Sequence, residues 1–450
     1  MLTAEKNDLI TRTDKGTPCG EMLRSYWQPA ALVEEFDAER PIVPVRLFGE
    51  DLVAFRDEGG RYGLFDRRCT HRGADMCFGR LEDGGLRCPF HGWLFDVDGA
   101  CLEQPAEPEE SNFRNKVRQT AYPCLERNGV VFTYMGQMNE KGEAPPLPDY
   151  DCFTAPAAYT FAFKGHVDCN WLQALEVGID PAHASYLHRF FEDEDPDEAY
   201  GKQFRDRADG TDLTVTEVLR EYDRPEIEVE ETASGLRLTT LRDLDDQQRH
   251  VRITNLVFPN AFCIPISNDM VITQWHVPVD DGENYWYAMF TDFSNTVDQV
   301  TMRTQRLESC TLPDYKSTRN RDNNYGFDAE EQRTKTYTGM GMDINVHDQW
   351  AVESLGKIQD RTTEHLGTSD KAIIANRKML FRAIEAVQQG EDLPAGAGEN
   401  LRGPVAIDAV GPPAEQATIW KERDLKRRHK SAWAQDPWLN SKGLKVSGNE

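Results

Sequence analysis

The sequence lacks the long apolar runs and the basic excess that would direct it to a membrane or to nucleic acid. No stretch approaches the roughly 18 consecutive apolar residues of a membrane span, so we expect no membrane partner. The start has no basic segment followed by an apolar run, so we expect no secretion signal and a cytoplasmic location. The chain has 51 basic and 77 acidic residues and a formal net charge of −26. This charge would repel a polyanion and excludes nucleic acid as an expected partner.

Two further absences concern redox chemistry. The sequence has no Gly-x-Gly-x-x-Gly motif, the turn that binds dinucleotide cofactors, so electrons from NAD(P)H would have to arrive through a separate protein. The ten cysteines do not have the spacing of a disulfide framework, and cysteines of a cytosolic chain are more often reduced or metal-binding. Apart from Cys69 and Cys88, we interpret them as small buried hydrophobic residues: Cys19, Cys77, Cys101, Cys124, Cys152, Cys169, Cys263 and Cys310.

A length of 450 residues allows two or three domains of ~150 residues each. Short strand-like runs separated by glycine-rich turns predict a small β-domain, which ends at a proline-rich linker. The rest of the chain mixes helical and strand patterns, so the expected fold class is α+β. The expected boundaries are an N-terminal helical segment that packs with the larger domain at 1–25, the β-domain at 26–140, the larger domain at 150–410 and a C-terminal tail at 411–450.

The larger domain begins with a predicted helix over 168–191 that is interrupted near Gly178 and Pro181. An acidic run at 192–198 is interpreted as a solvated loop. Hydrophobic patterns predict further elements, namely strands near 214–220, 236–241, 250–258 and 270–278, and helices over 296–311 and 346–390.

The first candidate metal site lies in the β-domain. The sequence gives Cys69-x-His71 and, after sixteen intervening residues, Cys88-x-x-His91. A Rieske [2Fe–2S] cluster needs two cysteines on one iron and two histidines on the other. Two short loops that each supply one cysteine and one histidine provide that division.

A structural zinc site and coincidence are the alternatives for these four residues. Zinc modules usually pair like with like, two cysteines and then two histidines, whereas both pairs here are mixed. Gly73 and Gly92 directly follow the two pairs and suit loops that turn tightly around a cluster. We therefore favour the Rieske interpretation.

The second candidate metal site is Asp180-x₂-His183-x₄-His188. Two histidines and a carboxylate on one face of Fe(II) form the facial triad of non-haem oxygenases. Residues five apart lie ~140° apart around an ideal helix, so the helix must deform before both histidines can reach one metal. Asp180 lies three residues before His183 and could orient its ring as a hydrogen-bond partner.

The third ligand of such a triad should be a carboxylate far along the chain. Asp348, near the start of a predicted helix, is the best candidate. Asp343 and Glu353 are rivals, and His347 could be mistaken for a ligand. The residues alone leave this choice open.

Together, the two motifs resemble those of the Rieske non-haem iron aromatic ring-hydroxylating oxygenases, and the sequence is most similar to α subunits of the phthalate 4,5-dioxygenase-like type. The resemblance extends from Leu2 to Gly367. In that family the third iron ligand is an Asp followed five positions later by a Glu, which Asp348 and Glu353 match. The resemblance implies a Rieske β-domain, a helix-grip catalytic domain whose antiparallel sheet wraps a helix, a [2Fe–2S] cluster and a mononuclear Fe(II).

The resemblance also implies partners and further site residues. Family members are often homotrimers or stacked trimers, and they receive electrons from a flavin or ferredoxin reductase. The family's bridging Asp matches Asp180, which would link His91 of one subunit to His183 of the next. Asn170 matches the residue that opens the iron-binding helix, and the resemblance makes Asp180 and Asn170 the candidate catalytic residues. Where the phthalate-specific pattern has a Ser after the bridging Asp, this chain has Pro181.

The expected function is therefore the oxidation of an aromatic acid with O₂, by ring hydroxylation or by O-demethylation of a lignin-derived methoxylated acid. A phthalate-type cis-dihydroxylation is the alternative reaction. A Rieske electron-transfer protein and a zinc hydrolase are the rival classes. An acid substrate favours an arginine in its pocket, and Arg252 and Arg237 on predicted strands are the candidates.

Overall fold

The computed structural model describes residues 1–37, 39–191, 211, 213–397, 401 and 403–436. The acidic run predicted at 192–198 and the end of the tail after 436 lie outside the described residues. The chain divides into two compact units. The smaller unit consists of Arg12–Leu147 and Val277–Asp281, and the larger of Met1–Thr11, Pro148–His276 and Gly282–Glu450.

The N-terminal segment differs from its prediction as a single unit over 1–25. Helix α1, Ala4–Thr11, belongs to the larger unit, whereas α2, Pro18–Arg24, belongs to the smaller. Thr17 caps α2 by accepting a hydrogen bond from the Gly20 amide. Pro18 follows it, and because proline fits only the first turn of a helix, the chain begins a new helix here.

The smaller unit is built of three small sheets, as the short strand-like runs predict. Their strand orders are β1-β11-β10, β2-β3-β4-β9 and β5-β6-β7-β8. The strands are β1 Gln28–Leu32, β2 Ile42–Leu47, β3 Glu50–Arg56, β4 Tyr62–Asp66, β5 Arg80–Glu82, β6 Gly85–Arg87, β7 Leu94–Asp96, β8 Cys101–Glu103, β9 Ala121–Tyr122, β10 Cys124–Arg127 and β11 Val130–Thr133.

The larger unit is organised around one ten-stranded sheet. Its strand order is β13-β14-β15-β16-β17-β18-β12-β20-β19, with β21 paired to β15. The pairing of β12 with β20 is parallel, whereas β13 to β17 pair antiparallel. The strands are β12 Thr160–Val167, β13 Glu226–Thr232, β14 Gly235–Asp243, β15 Arg249–Val257, β16 Ala261–Pro265, β17 Met270–Asp280, β18 Glu283–Asp292, β19 Cys310–Thr311, β20 Lys316–Ser317 and β21 Ile407–Gly411.

Helices pack on this sheet and complete the α+β architecture. The longest has a buried stripe that includes Ala372, Leu380 and Ala383 and contacts β13 and β14. The described helices are α3 Asp151–Thr154, α4 Trp171–Gly178, α5 Val215–Glu221, α6 Gln299–Glu308, α7 Ala329–Thr334, α8 Ile344–Ser354, α9 Lys371–Gln389 and α10 Ile419–Lys430. No helix among the described residues is long and apolar enough to cross a membrane.

Two predicted elements need correction. Residues 214–220 form helix α5 and not a strand, because the Thr214 hydroxyl caps the Glu217 amide and the buried Val215 and Val218 lie three residues apart on one helical face. The predicted helix over 346–390 is two helices, α8 and α9. The tail expected at 411–450 contains helix α10, which packs its buried Trp420 against β15 and β21.

The cysteine prediction is confirmed for most positions. All ten cysteines are free, and eight of them, including Cys69 and Cys88, are buried. Cys124 and Cys310 are only partly buried.

Candidate active site

Two loops of the smaller unit have matching backbone hydrogen bonds. In the first, the Cys69 amide donates to the Ala74 carbonyl at 2.8 Å, and the Gly73 amide donates to the Cys69 carbonyl at 2.8 Å. The second repeats both bonds from Cys88 and Gly92, at 2.8 and 2.9 Å. Both glycines have a φ of 76°, which glycine adopts without the strain that a side chain would add. The two loops therefore hold their cysteines in equivalent positions.

The side chains of these loops form an inner and an outer pair. Cys69 and Cys88 are each only 2% exposed, whereas the two histidines are partly exposed. The ring centroids of His71 and His91 lie 4.5 Å apart with their planes at 69°. His71 also stacks on Trp93 at 4.2 Å, which fixes the orientation of its ring.

This donor set fits a [2Fe–2S] cluster with mixed ligands. Burial, together with the neighbouring Cys88, raises the pKa of Cys69 to about 11, so two thiolates at this position need compensating cations. The Nδ1 atom of His71 is buried and has no hydrogen-bond partner in the part of the chain that the structure describes. Two inner thiols and two outer imidazoles match the division of ligands between the two irons of a Rieske centre.

Side chains around the first loop hold it in place. Arg67 Nε lies 3.0 Å from both carboxylate oxygens of Asp75, and its Nη2 donates to Oδ2 at 2.7 Å. The hydrogen bond from Arg67, which outweighs burial, lowers the pKa of Asp75 to about 2. Gln119 accepts a hydrogen bond from the Thr70 amide at 2.8 Å and donates to the Arg68 carbonyl at 2.9 Å.

The predicted break in the histidine-bearing helix of the larger unit is confirmed. Helix α4 ends at Gly178, and the chain resumes as a short 3₁₀ turn, His183–Ser185. A β-carbon at Gly178 would lie 2.1 Å from the ring of Phe262, so only glycine allows the helix end to approach strand β16 this closely. The break frees the two histidines from helical geometry, which would hold them on different faces.

The structure brings His183, His188 and Asp348 together. Their potential ligand atoms all lie within 4.8 Å of one another. His188 Nε2 lies 3.2 Å and His183 Nε2 3.8 Å from Asp348 Oδ1, and the two imidazole planes are nearly perpendicular, at 84°. Helix α8 supplies the carboxylate from a position 160 residues after His188 in the chain.

This group fits a mononuclear Fe(II). Two imidazoles and one carboxylate on one side of a metal form the facial triad, which leaves positions open for other ligands. Asp348 Oδ1 is buried and meets no well-aligned hydrogen-bond donor within the described ranges. Burial raises the pKa of Asp348, but the imidazoles of His188 and His183 outweigh burial and hold that pKa below its usual value.

The rival ligands are engaged elsewhere. Asp343 caps helix α8 by accepting from the Asn345 amide. Glu353 is buried and accepts hydrogen bonds from the Asp168 amide at 2.9 Å and from the Tyr325 hydroxyl at 2.7 Å. His347 Nε2 lies 2.9 Å from the Gly341 carbonyl, and the ring stacks against that of His188. Geometry therefore favours Asp348, the choice that the residues alone left open.

Asp180 contacts His183 differently from the prediction. His183 Nδ1 lies 2.5 Å from the backbone carbonyl of Asp180, and the Asp180 carboxylate accepts from the Ala182 amide at 2.8 Å. A carbonyl accepts and cannot donate, so His183 carries its proton on Nδ1 and presents the Nε2 lone pair toward Asp348 and His188. The ring is oriented as expected, but by the main chain and not by the carboxylate.

Asn170 does not fit its predicted catalytic role. Its buried side chain caps helix α4, with Oδ1 accepting from the Leu172 amide at 3.1 Å. Its Nδ2 donates to the Thr11 carbonyl at 2.9 Å and so joins α1 to α4. Asn170 is not among the described residues that line the cavity beside the triad.

A cavity of about 240 Å³ opens beside the triad, entirely within the larger unit. His183, His188, Asp348 and Asp180 form part of its wall. Most of the other lining side chains are apolar, and they include Val177, Phe190, Phe262, Ile264, Trp286 and Ile344. A dry, mainly apolar cavity with a few polar groups is typical of a small-molecule site.

The two predicted substrate arginines lie on opposite faces of the sheet. Arg252 pairs with Thr240 across β14 and β15, and both residues line the cavity. Arg237 pairs with Asn255, three residues from Arg252 and therefore on the other face. There Arg237 binds Glu230 at 2.9 Å and covers the ring of Trp420. The prediction for Arg237 is therefore wrong, because the strand register places its side chain on the face away from the cavity.

The polar residues of the cavity wall that sequence reasoning missed include Gln274 and His276 on strand β17. They lie two apart and therefore share a face. The signal was present in the sequence, because Gln274 and His276 alternate with the apolar Trp275 and Val277 in a predicted strand.

Comparisons with known proteins cover both units. Residues 26–123 match the family model described as Rieske [2Fe-2S] domain, and residues 133–440 match that described as LigXa C-terminal domain like. The chain is 36% identical to the phthalate 4,5-dioxygenase oxygenase subunit of Pseudomonas putida, over 89% of this chain and 90% of that protein. It is 32% identical to the 5,5′-dehydrodivanillate O-demethylase oxygenase subunit of Sphingobium sp. strain NBRC 103272 / SYK-6, over 87% and 82%.

Solved structures agree on the fold. The NdmA QL mutant of Pseudomonas putida CBB5 with theobromine superposes with a TM-score of 0.57 at 20% identity, covering 86% of this chain and 97% of that one. The chain belongs to the Rieske non-haem iron oxygenases, as an oxygenase subunit that joins a Rieske domain to a LigXa-like catalytic domain. Such a subunit has a [2Fe–2S] cluster and a mononuclear iron, and it depends on a separate reductase.

Proposed function

We propose that this oxygenase oxidises an aromatic acid, either by ring hydroxylation or by removal of a methyl group from an aromatic ether. The observation that carries the proposal is the mainly apolar cavity that has the His183, His188 and Asp348 group in its wall and Arg252 on its sheet face. The similar proteins named above act, by their names, on phthalate and on 5,5′-dehydrodivanillate, both of which carry carboxylates on aromatic rings.

In this proposal Cys69, His71, Cys88 and His91 hold the cluster. His183, His188 and Asp348 hold the iron. When bound, the cluster supplies single electrons and the iron supplies the activation of O₂. The protein contributes position and a dry cavity, since apolar walls such as Phe262 and Ile264 exclude water from the reacting atoms.

Arg252 is the proposed contact for the substrate carboxylate. Its Nη1 donates to Asp408 at 2.6 Å and its Nη2 to the Pro265 carbonyl at 2.9 Å, so the guanidinium is held in place before substrate arrives. A second buried guanidinium, Arg242, lies on the same sheet face, and its Nη1 and Nη2 have no partner in the described ranges. Burial, with the neighbouring Arg252, lowers the pKa of Arg242 to about 10.

One carboxylate, Asp408, faces these two guanidinium groups. The third neighbour is His250, whose pKa is lowered by burial and whose Nε2 lies 2.9 Å from Asp408. The buried positive charge of this sheet face therefore exceeds the negative charge. An anionic group on the substrate would restore the balance.

Pro181 makes phthalate itself a poor candidate. It lines the cavity where the phthalate-specific pattern has a serine. Proline has neither a hydroxyl nor an amide hydrogen, so it cannot donate a hydrogen bond to a second carboxylate. We therefore place O-demethylation or hydroxylation of a mono-acid ahead of phthalate-type cis-dihydroxylation.

The partner proposal is a homo-oligomer served by a flavin or ferredoxin reductase. Among the described residues, one amide in its own loop donates to the Asp180 carboxylate, and this partly exposed carboxylate has acceptor capacity left. We propose that it accepts a hydrogen bond from His91 of a neighbouring subunit in a trimer or a stack of two trimers. Sedimentation of wild-type protein and of Asp180→Asn tests the assembly, and electron transfer after chemical reduction of the cluster tests the contact.

The function is tested by feeding the purified protein and a surrogate reductase a panel of benzoates, methoxybenzoates and phthalates under ¹⁸O₂. Mass spectrometry of the products distinguishes ring hydroxylation, which adds labelled oxygen, from demethylation, which releases formaldehyde. The expected result is O₂ uptake and one modified mono-acid. Two irons per chain with no O₂ uptake on any acid would instead support the Rieske electron-transfer protein.

A further inference from the structure

Hydrogen bonds connect four groups in series, and each group fixes the orientation of the next. The series consists of the Cys169 carbonyl, Asn284, His276 and Gln274, which lies in the cavity wall. The first side chain of the series is that of Asn284, a fully buried residue of strand β18. Asn284 Nδ2 donates to the Cys169 carbonyl at 2.7 Å. Because a carbonyl oxygen can only accept, the amide cannot be turned around, and Asn284 Oδ1 is the atom that faces His276.

His276 is the second link, and its tautomer follows. Its Nδ1 lies 3.3 Å from Asn284 Oδ1, so Nδ1 carries the hydrogen and donates it. Its Nε2 lies 3.2 Å from Gln274 Nε2. The ring is only 4% exposed. Burial, against the opposing effects of Asn284 and Asp348, lowers the pKa of His276 to about 4. The ring is therefore neutral near pH 7, and Nε2 is an acceptor.

Gln274 is the last link. Because His276 Nε2 accepts, the atom of Gln274 that faces it must be the NH₂ group, and this sets the orientation of the amide. The Oε1 atom and the second N–H of Gln274 then remain, and Oε1 accepts no hydrogen bond from any described residue. Gln274 lines the cavity, so an acceptor and a donor of fixed orientation are available to the substrate.

We propose that Gln274 recognises a hydroxyl group on the ring of the aromatic acid, with Oε1 accepting the hydroxyl hydrogen. This rests on the proposed function and narrows its substrate class to hydroxylated aromatic acids. A hydroxyl group uses both atoms of the amide, because it donates to Oε1 and accepts from the remaining N–H. A methoxy or carboxylate group can only accept, and it would leave Oε1 unpaired in a mainly apolar cavity, which is costly.

The carboxylate and the hydroxyl of the substrate would bind at different positions on one face of the sheet. Gln274 is paired with Phe262 across β16 and β17, and Phe262 with Leu256 across β15 and β16. Arg252 lies four residues before Leu256 on the same strand and face. The acid end and the hydroxyl end of one ring therefore have separate contacts, which fixes the direction in which the ring enters.

His276 and Asn284 are positioning residues in this account, because they act only through the amide of Gln274. Replacing His276 by Leu removes the acceptor that holds the amide, so Gln274 can rotate. We expect His276→Leu to lose discrimination between substrates while binding of the acid itself persists. A residue needed only for folding would lower the turnover of all substrates equally and leave their ratio unchanged.

The test compares 4-hydroxy-3-methoxybenzoate with 3-methoxybenzoate and 3,4-dimethoxybenzoate, using the holoenzyme, a surrogate reductase and product analysis. The wild type should prefer the hydroxylated acid by roughly 10- to 100-fold in kcat/KM, the range expected when the other acids leave a buried acceptor unpaired. Gln274→Met, which keeps the length but removes both hydrogen-bonding atoms, should bring the ratio near one. Thr273→Val is the matched control, because Thr273 is the preceding residue on β17 and points to the other face.

Three outcomes are decisive. A collapsed ratio in Gln274→Met and His276→Leu, with Thr273→Val unchanged, supports the inference. No preference in the wild type, or a preference that survives in Gln274→Met, overturns it while the proposed function stands. Absence of O₂ uptake with every acid overturns the proposed function and this inference with it. If Gln274→Met does not fold by circular dichroism, Gln274→Leu, which also removes both hydrogen-bonding atoms, replaces it in the same comparison.

Discussion

His188 Nε2 lies 3.2 Å from Asp348 Oδ1 although 160 residues separate them in the chain. His183 Nε2 lies 3.8 Å from the same oxygen, so the potential ligand atoms of all three residues are close enough to share one metal ion. A cation bound between them would have two imidazoles and one carboxylate as ligands, the donor set of a facial triad.

Removing one residue of this group should abolish the mononuclear iron site and leave the [2Fe–2S] cluster in place. We expect His188→Ala and Asp348→Ala to lose the mononuclear iron and at least 100-fold in turnover, since metal affinity falls steeply when a ligand is removed. The [2Fe–2S] absorption should remain. The iron content should fall from about three to about two atoms per chain, because the cluster holds two irons and the mononuclear site holds one.

Asp343→Ala is the matched control for the carboxylate, because Asp343 lies on the same helix but caps its first turn. It should cost about 1 kcal/mol of stability and keep all the iron. If Asp343→Ala and Asp348→Ala lost iron equally, the assignment of Asp348 as a ligand would be wrong.

Arg252 and Arg237 provide a second matched pair, since they lie on neighbouring strands and opposite faces. Arg252→Gln should raise KM for an acid substrate at least tenfold, because it removes a charge-assisted contact. It should leave KM for the corresponding methyl ester nearly unchanged. Arg237→Gln should alter neither constant. Equal KM values for the acid in wild type and Arg252→Gln would exclude the carboxylate contact.

Gly178 is expected to be irreplaceable for a packing reason. A methyl group at this position would lie 2.1 Å from the Phe262 ring, so Gly178→Ala should destabilise the protein by about 1–3 kcal/mol and displace the loop that carries His183. Thermal unfolding and iron content measure the two effects. The double variant Gly178→Ala with Phe262→Val should recover part of both losses, and additive losses in the double variant would contradict a direct clash.

The Arg67–Asp75 pair makes the first cysteine loop sensitive to acid. The pKa of Asp75 falls from 3.8 to about 2 in the folded chain, so the folded state favours the ionised carboxylate. The contribution to stability is therefore present above pH 4 and is lost as the pH falls from about 4 to about 2. At pH 7 Asp75→Asn should remove up to about 2 kcal/mol, measured by urea unfolding. In Asp75→Asn this acid-dependent loss should disappear, and an unchanged acid profile would contradict the assignment.

Most of the candidate metal ligands could be predicted from the sequence because they lie close together in it. Cys69, His71, Cys88 and His91 occupy two short loops, and a spacing of five residues between His183 and His188 already required the helix break that is observed. Asp348 could not be deduced from spacing, since nothing local distinguishes it from Asp343 or Glu353. Only the fold shows that the other two carboxylates are already bound to helix α8 and to Tyr325.

The wrong predictions have physical causes that the local sequence pattern does not show. Arg237 and Arg252 both alternate with apolar residues, but which alternate face meets the cavity depends on strand register. The segment 214–220 has β-branched residues typical of strands, but the Thr214 cap stabilises it as a helix. The Gln274, His276 and Asn284 chain joins strands β17 and β18 and was invisible until their pairing was known.

The twin loops of the smaller unit have a consequence for the speed of electron exchange. Gaining or losing an electron changes the charge of a cluster by one unit, and every nearby dipole that turns in response adds to the barrier. Here the amides of Cys69 and Cys88 themselves already donate to carbonyls of their own loops. Little of this backbone is left to relax, so the redox change should proceed with a small reorganisation energy.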